Sequence, residues 1–119
     1  MNKESPIHKI NLLFICSRNQ WRSPTAEKLW SRHPRINSRS AGTSSSARRK
    51  VSASDISWAD IIMVMETKHK NRLQAEFSRL LNYKTIHVLD IPDNYHYMDE
   101  ALIEELEALV PPLLALSDE

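Results

Sequence analysis

Two short apolar runs limit what this chain can build. Ile10-Asn11-Leu12-Leu13-Phe14-Ile15-Cys16 and Ala59-Asp60-Ile61-Ile62-Met63-Val64-Met65 are almost unbroken in apolar residues. They lack the alternation that one solvated face would impose. Each is too short to cross a bilayer, so each reads as a strand buried on both faces. Strands of that kind belong to parallel sheets, whose crossover helices cover both sides.

The intervening sequence supplies such helices. Ser23-Pro24 offers an N-cap and a proline at the first helical position, and Ala26, Leu29 and Trp30 then mark one face of a helix that ends near His33-Pro34. Arg35 to Ser40, leading into Ala41-Gly42-Thr43, reads as a weak second strand. Ser44 to Ser57 is polar and serine-rich, a loop with room for a helical turn. Leu73, Phe77, Leu80 and Leu81 fall at helical spacing after the second apolar run. Thr85 to Leu89 forms a fourth strand and Pro92-Asp93-Asn94 a turn. Leu102, Leu106, Leu109 and Val110 give a closing amphipathic helix that Pro111-Pro112 should break or kink. The expected fold is α/β: three layers, α/β/α, around a four-stranded parallel sheet of doubly wound topology. With 119 residues, 41% of them hydrophobic, the chain suffices for one core and is short for two, so residues 1–119 read as a single domain.

Charge and cysteine content narrow the function. The formal charge is +1, but Lys28, Arg32, Arg35, Arg39, Arg48, Arg49 and Lys50 follow one another with no acid between Glu27 and Asp55. The end of the chain is acidic, with Asp99, Glu100, Glu104, Glu105, Glu107, Asp118 and Glu119. The basic middle is either a field that steers anionic substrates or a solvated face. It lacks the interleaved aromatics and motifs of a nucleic-acid binder. One cysteine excludes an intramolecular disulfide and a multi-cysteine zinc site. With no metal-spaced histidines, neither metal nor cofactor is expected. The polar start Met1-Asn2-Lys3-Glu4-Ser5-Pro6 has no signal-peptide pattern, and no run is long enough for a membrane span. The expected location is the cytoplasm.

Ligands of parallel sheets bind beyond the carboxyl ends of the strands, and Cys16 stands at that end of the first one. Ser17, Arg18, Asn19, Gln20 and Trp21 separate it from Arg22, after which Ser23-Pro24 opens a helix. A loop in this position can turn its amides inward around a phosphate, with the positive end of the helix dipole behind them. Arg22 can grip two phosphate oxygens as a fork, a geometry that lysine cannot copy. Thiols beside helix N-termini and cations are the reactive class, so Cys16 is the candidate nucleophile. The Ser23 hydroxyl is placed to steady the sulfur as a leaving group. A cysteine with an arginine six positions on is a weak pattern by itself; the strand before and the helix after give it weight.

With these residues in view, the sequence resembles the low-molecular-weight protein tyrosine phosphatases, whose nucleophile lies near the N-terminus on the first strand. Asn19, Arg22-Ser23-Pro24 with Ala26-Glu27, Ser40-Ala41-Gly42-Thr43, and the stretch from Ala59 to Glu66 match in order and span most of the chain. The resemblance implies a cysteine-dependent phosphomonoester hydrolase acting through a phosphocysteine, with phosphorylated protein or a small phosphoester as substrate. It also implies that Asn19, Ser23 and Ser40 hydrogen-bond to hold the loop. Asparagine is, besides, one of the few residues that tolerate the left-handed conformation a loop without glycine needs. The family's general acid corresponds to Asp93, with Asp90 as the rival. Tyr95 and Tyr97 correspond to aromatics that wall a phosphotyrosine pocket.

Two departures stand out. Arg18 occupies the place of the glycine usual in the middle of the loop, and the segment after Thr43 is shorter than in family members, removing much of the second pocket wall. Arsenate reductases of similar architecture relay a disulfide through further cysteines, which this chain lacks. Two other classes remain open: a phosphate- or phosphopeptide-binding module with little turnover, and a partner-binding protein that uses its acidic final helix. Nothing in the sequence fixes the oligomeric state.

Overall fold

The computed structural model describes residues 9–114, so the polar start and the acidic residues Asp118 and Glu119 lie outside the described residues. The elements in order are β1 (Ile10–Cys16), α1 (Arg22–Trp30), β2 (Ile36–Gly42), α2 (Ala53–Trp58), β3 (Ile61–Val64), α3 (Thr67–Leu81), β4 (Thr85–Val88) and α4 (Glu100–Leu114). The four strands are parallel in the order β2-β1-β3-β4. No helix among the described residues is long and apolar enough to cross a membrane.

The two faces of β1 explain its unbroken apolar run. Leu12, Phe14 and Cys16 point to one side, where they meet Ala26 and Trp30 of α1 and Leu102, Leu106, Val110 and Leu114 of α4. Leu13 and Ile15 point to the other, against Ile56 of α2 and Leu73 and Leu81 of α3. Two cores of this kind are what three layers require. Each fully buried aliphatic or aromatic side chain contributes about 1.5–3 kcal/mol relative to exposure, so β1 is the strand on which both layers hang.

The chain runs from β1 to one neighbour, β2, and then crosses to the other, β3. The loops after β1 and β3 therefore diverge at the carboxyl edge of the sheet and leave a crevice between them. Past the last strand, Leu89 N–H donates to Val64 O and Ile91 N–H to Met65 O, both at 2.9 Å. These bonds carry the chain along the same edge and deliver the following loop to the crevice.

Three expectations need correction. Helix α1 begins at Arg22, with Trp21 at its N-cap and no side-chain cap, because the Ser23 hydroxyl is drawn into the site instead of capping. Pro24 thus sits at the third helical position, still within the first turn, where its missing N–H had no partner to lose. The serine-rich segment contains a true helix, α2, nucleated by a capping box between Ser52 and Asp55. Of the break or kink expected at Pro111 and Pro112, the break does not occur, and α4 continues to Leu114. Val110 and Leu114 are both buried in the α4 core, and their packing holds the last turn although the prolines remove two of its donors.

Asp55 also fixes the segment between β2 and α2. It is fully buried, and its Oδ1 accepts from Arg49 Nη2 at 2.6 Å and Arg39 Nη1 at 3.2 Å while Oδ2 accepts from Ser52 N–H at 3.0 Å. Burial works to raise its carboxyl, but the hydrogen bonds and charge of Arg49 and the Ser52 bonds more than offset that and leave it below its usual range. Arg49 in turn donates to the Ser40 carbonyl at 2.7 Å. Asp55→Ala should lower the free energy of unfolding by about 2–4 kcal/mol in urea titration, since it removes the capping box and the buried acceptor that Arg39, Arg49 and Ser52 share. A loss below about 1 kcal/mol would mean that the cluster acts as an ordinary solvated ion pair.

Candidate active site

The loop from Ser17 to Trp21 is shaped by its carbonyls. Cys16 O accepts from Thr43 N–H at 3.0 Å, Ser17 O from Ser44 N–H at 2.9 Å, and Arg18 O from Arg48 N–H at 2.9 Å. Asn19 O accepts from Arg48 Nε at 2.9 Å. In a trans peptide the next N–H points opposite to the carbonyl. Tying four successive carbonyls to the 43–48 segment therefore turns the N–H groups of Ser17, Arg18, Asn19 and Gln20 the other way. None of these amides has a protein acceptor among the described residues. Ser17, Arg18 and Gln20, with the N-terminus of α1 behind them, line a cavity of about 100 Å³ together with Cys16, Trp21, Arg22 and Asp93. That is an anion-binding concavity built from backbone.

Two backbone features let the loop close so tightly. Asn19 takes φ 55°, the left-handed conformation that asparagine tolerates. Gly42 lies directly beneath the loop, where a Cβ would stand 2.5 Å from Ser17 O and 3.0 Å from Asn19 N. The single glycine of the chain is thus required by close approach.

Behind the loop runs a buried polar chain. Asn19 Nδ2 donates to Ser23 Oγ and to Ser40 Oγ, both at 2.9 Å, and Ser40 donates onward to Glu27 Oε1 at 2.5 Å. Ser23 Oγ also lies 2.9 Å from Cys16 Sγ and 3.4 Å from the Ala41 carbonyl; against a deprotonated sulfur, which can only accept, the hydroxyl is the donor. The expected trio of Asn19, Ser23 and Ser40 is brought together, and Glu27 extends it.

Arg22 is buried and oriented from three directions. Its Nη1 donates to Glu66 Oε1 at 2.9 Å and to the Ile91 carbonyl at 2.8 Å, and its Nε faces Asp93 Oδ1 at 3.6 Å. With Nη1 engaged by protein, the edge formed by Nε and Nη2 is the fork that an anion can take, in competition with the long contact of Nε to Asp93. Burial works to raise the Glu66 carboxyl, and the Arg22 hydrogen bond and charge outweigh it, so the group sits below its ordinary value. Asp93 is exposed on the cavity rim, whereas Asp90, also exposed, is not among the residues lining that cavity. Asp90 and Met98, at the two ends of this loop, both have φ 59°, and Met98 N–H donates to Thr25 Oγ1 of α1 at 2.8 Å.

His69, in the first turn of α3, is buried. Its Nδ1 accepts from Glu66 N–H at 3.0 Å and its Nε2 lies 2.8 Å from Ser17 Oγ. Burial, then the charge of Arg22, lowers its pKa to about 4. Neither Glu66 nor His69 had an assigned role in the sequence reading. The available signal was an acid and a histidine three apart directly after a buried strand, a spacing that also fits an ordinary capping box.

The aromatic wall differs from expectation. Tyr95 packs against the α1/α4 core and Tyr97 lines an open groove beside Gln20 and Lys28; neither lines the Cys16 cavity. Trp21 does, and His96 lies against it with ring centroids 5.2 Å apart. The spacing placed the right loop at the site, but the left-handed turn at Met98 and the pull of the core send the tyrosines elsewhere. Volume alone would mislead here. Open grooves of about 550 and 590 Å³ flank the loop, yet nucleophile, fork and carboxylate meet in a space of about 100 Å³.

No family model matches the sequence, and no curated protein does. Solved structures do match. The YwlE arginine phosphatase from Geobacillus stearothermophilus superposes with a TM-score of 0.72 at 23% identity, covering 87% of this chain and 90% of that one. The tyrosine phosphatase Wzb from Escherichia coli K30, in complex with phosphate, gives 0.67 at 20% identity over 83% and 91%. A low-molecular-weight phosphotyrosine phosphatase from Vibrio cholerae O395 gives 0.64 at 20% identity over 89% and 97%. The chain has their three-layer fold with its four-stranded parallel sheet.

Two measurements probe this geometry. Gly42→Ala should weaken inorganic phosphate binding at least tenfold, because the new methyl must displace backbone at Ser17; unchanged binding would mean that the loop does not rest on Gly42. The second concerns acid. Unfolded His69 takes up a proton near pH 6.5 that the folded protein refuses until about pH 4. Stability should therefore fall as pH drops through that window, by on the order of 3 kcal/mol in full. Asp55 and Glu66, held below their ordinary values, add losses at lower pH. His69→Gln should lose less stability than wild type between pH 7 and 4.5, and parallel losses would show that His69 protonates freely in the fold.

Proposed function

We propose that this chain is a cysteine-dependent phosphomonoester hydrolase working through a phosphocysteine intermediate, with phosphotyrosine in proteins as its substrate class. The observation that carries the proposal is the set of loop carbonyls tied outward, which turns the loop amides toward the cavity that Cys16 and Arg22 line. In the first step the deprotonated sulfur attacks phosphorus in line. The phosphorus–oxygen bond to the leaving group breaks, and Asp93 gives its proton to the departing oxygen. Amides and guanidinium hold the charge of the transferred group. In the second step water attacks the phosphocysteine, Asp93 takes its proton, and the phosphorus–sulfur bond breaks to release phosphate while the Ser23 hydroxyl donates to the departing sulfur.

The substrate class rests on the rim. Trp21, backed by His96, offers one apolar surface for an aryl ring standing above a cavity sized for the phosphoryl group. The reaction needs a reduced thiol, which suits the cytoplasm.

Hydrolysis of an aryl phosphate tests the reading. Cys16→Ser should be inactive, and Asp93→Asn slower by about 10²–10⁴-fold, most for poor leaving groups. Asp90→Asn should stay near wild type; a larger loss there than at Asp93 would reassign the acid. Wild-type protein that binds phosphate without releasing it from any ester would instead be a binding module.

A further inference from the structure

We infer that the Ser17 hydroxyl is a hydrogen-bond donor to the transferred phosphoryl group, and that His69 is the positioning residue that keeps it in the donor orientation. This rests on the hydrolase reading above and adds a donor outside the backbone loop and the arginine.

The argument begins with the histidine tautomer. A backbone N–H can only donate, so His69 Nδ1, 3.0 Å from Glu66 N, must present a bare lone pair. The ring proton is then on Nε2. The opposite tautomer would set two donors against each other at Glu66. Nε2–H therefore donates to Ser17 Oγ at 2.8 Å, and the serine oxygen is the acceptor. Its single hydrogen has no other protein acceptor among the described residues. Ser17 is half-buried, follows the nucleophile directly, and lines the Cys16 cavity. Ser17 also borders the open groove that His69 lines, so it stands between that groove and the cavity, and an oxygen of a phosphoryl group bound beside Cys16 is the acceptor we assign to its hydrogen.

The surroundings keep this arrangement in place. His69 is 1% exposed and belongs to a reciprocal cap with Glu66, so the ring has little freedom to turn. Its low pKa, about 4, keeps Nδ1 unprotonated at neutral pH. Glu66 is shared: its backbone N–H orients His69 and its carboxylate orients Arg22. One helical turn thus aims both a hydroxyl and a guanidinium at the same anion. The two hydroxyls divide the work, Ser23 of α1 serving the sulfur and Ser17 of the loop the phosphoryl oxygens.

The test combines kinetics with ligand binding on the full chain. Ser17→Ala should lower kcat/KM for an aryl phosphate by about 10–100-fold, the worth of one hydrogen bond to a charged group, and weaken inhibition by inorganic vanadate in parallel. Ser17→Thr should recover most of that loss. His69→Gln, which keeps a donor near the Nε2 position, should be affected less than His69→Ala. Because His69 acts through Ser17, either His69 variant should add less than about twofold in a Ser17→Ala background. Thermal melts identify any variant that fails to fold, and His69→Gln carries the comparison if His69→Ala does. Wild-type kcat/KM and vanadate inhibition in Ser17→Ala would overturn the inference, as would losses that multiply in the double variants. If the wild type proves inactive on every phosphoester, the hydrolase reading falls, but Ser17→Ala must still weaken inorganic phosphate binding. Equal binding would then overturn this inference as well.

Discussion

The site depends on a constraint of the peptide bond. Because carbonyl and following N–H point in opposite directions, a loop can be turned inside out by holding its oxygens. Thr43, Ser44 and Arg48 do that for Cys16 to Asn19, and Gly42 allows the two segments to lie close enough. The Arg22 fork and Cys16 stand beside amides that have no protein partner among the described residues. The segment that holds them is itself pinned through Arg49 and Asp55 to β2 and α2. The basic middle of the sequence, which reads as either a steering field or a solvated face, is in part scaffolding: Arg39, Arg48 and Arg49 all make specific bonds.

A second element reaches the site from the other side of the crevice. The first turn of α3 contributes no loop residue, yet Glu66 and His69 set the orientation of Arg22 and Ser17. The doubly wound order makes this possible, since β1 and β3 are neighbours and their following loops part at the same edge. A buried arginine needs such partners, because a guanidinium left unpaired in a core costs several kcal/mol.

Much of this was legible in the sequence, and the parts that were not have physical reasons. The strands β1 and β3 announce themselves because both of their faces are buried. The stretch from Cys16 to Arg22 is contiguous, so strand, loop and helix could be read together. The weak strand β2 and the helix α2 carry few apolar residues, since one is an edge strand and the other is made by a capping box. Tyr95 and Tyr97 were misjudged because sequence spacing along an irregular loop says little about direction. Glu66 and His69 act across the crevice, a relation between residues some fifty positions apart that no local pattern encodes.

The loop that carries Asp93 begins and ends with left-handed residues that are not glycine, Asp90 and Met98. Such conformations cost about 1–3 kcal/mol each and persist only where the surroundings over-determine them. Here the Ile91 N–H bond to Met65 at one end and the Met98 N–H bond to Thr25 at the other do so. A carboxylate carried between two anchored ends has a shorter reach than one on a free loop, which keeps Asp93 beside the Arg22 that it faces.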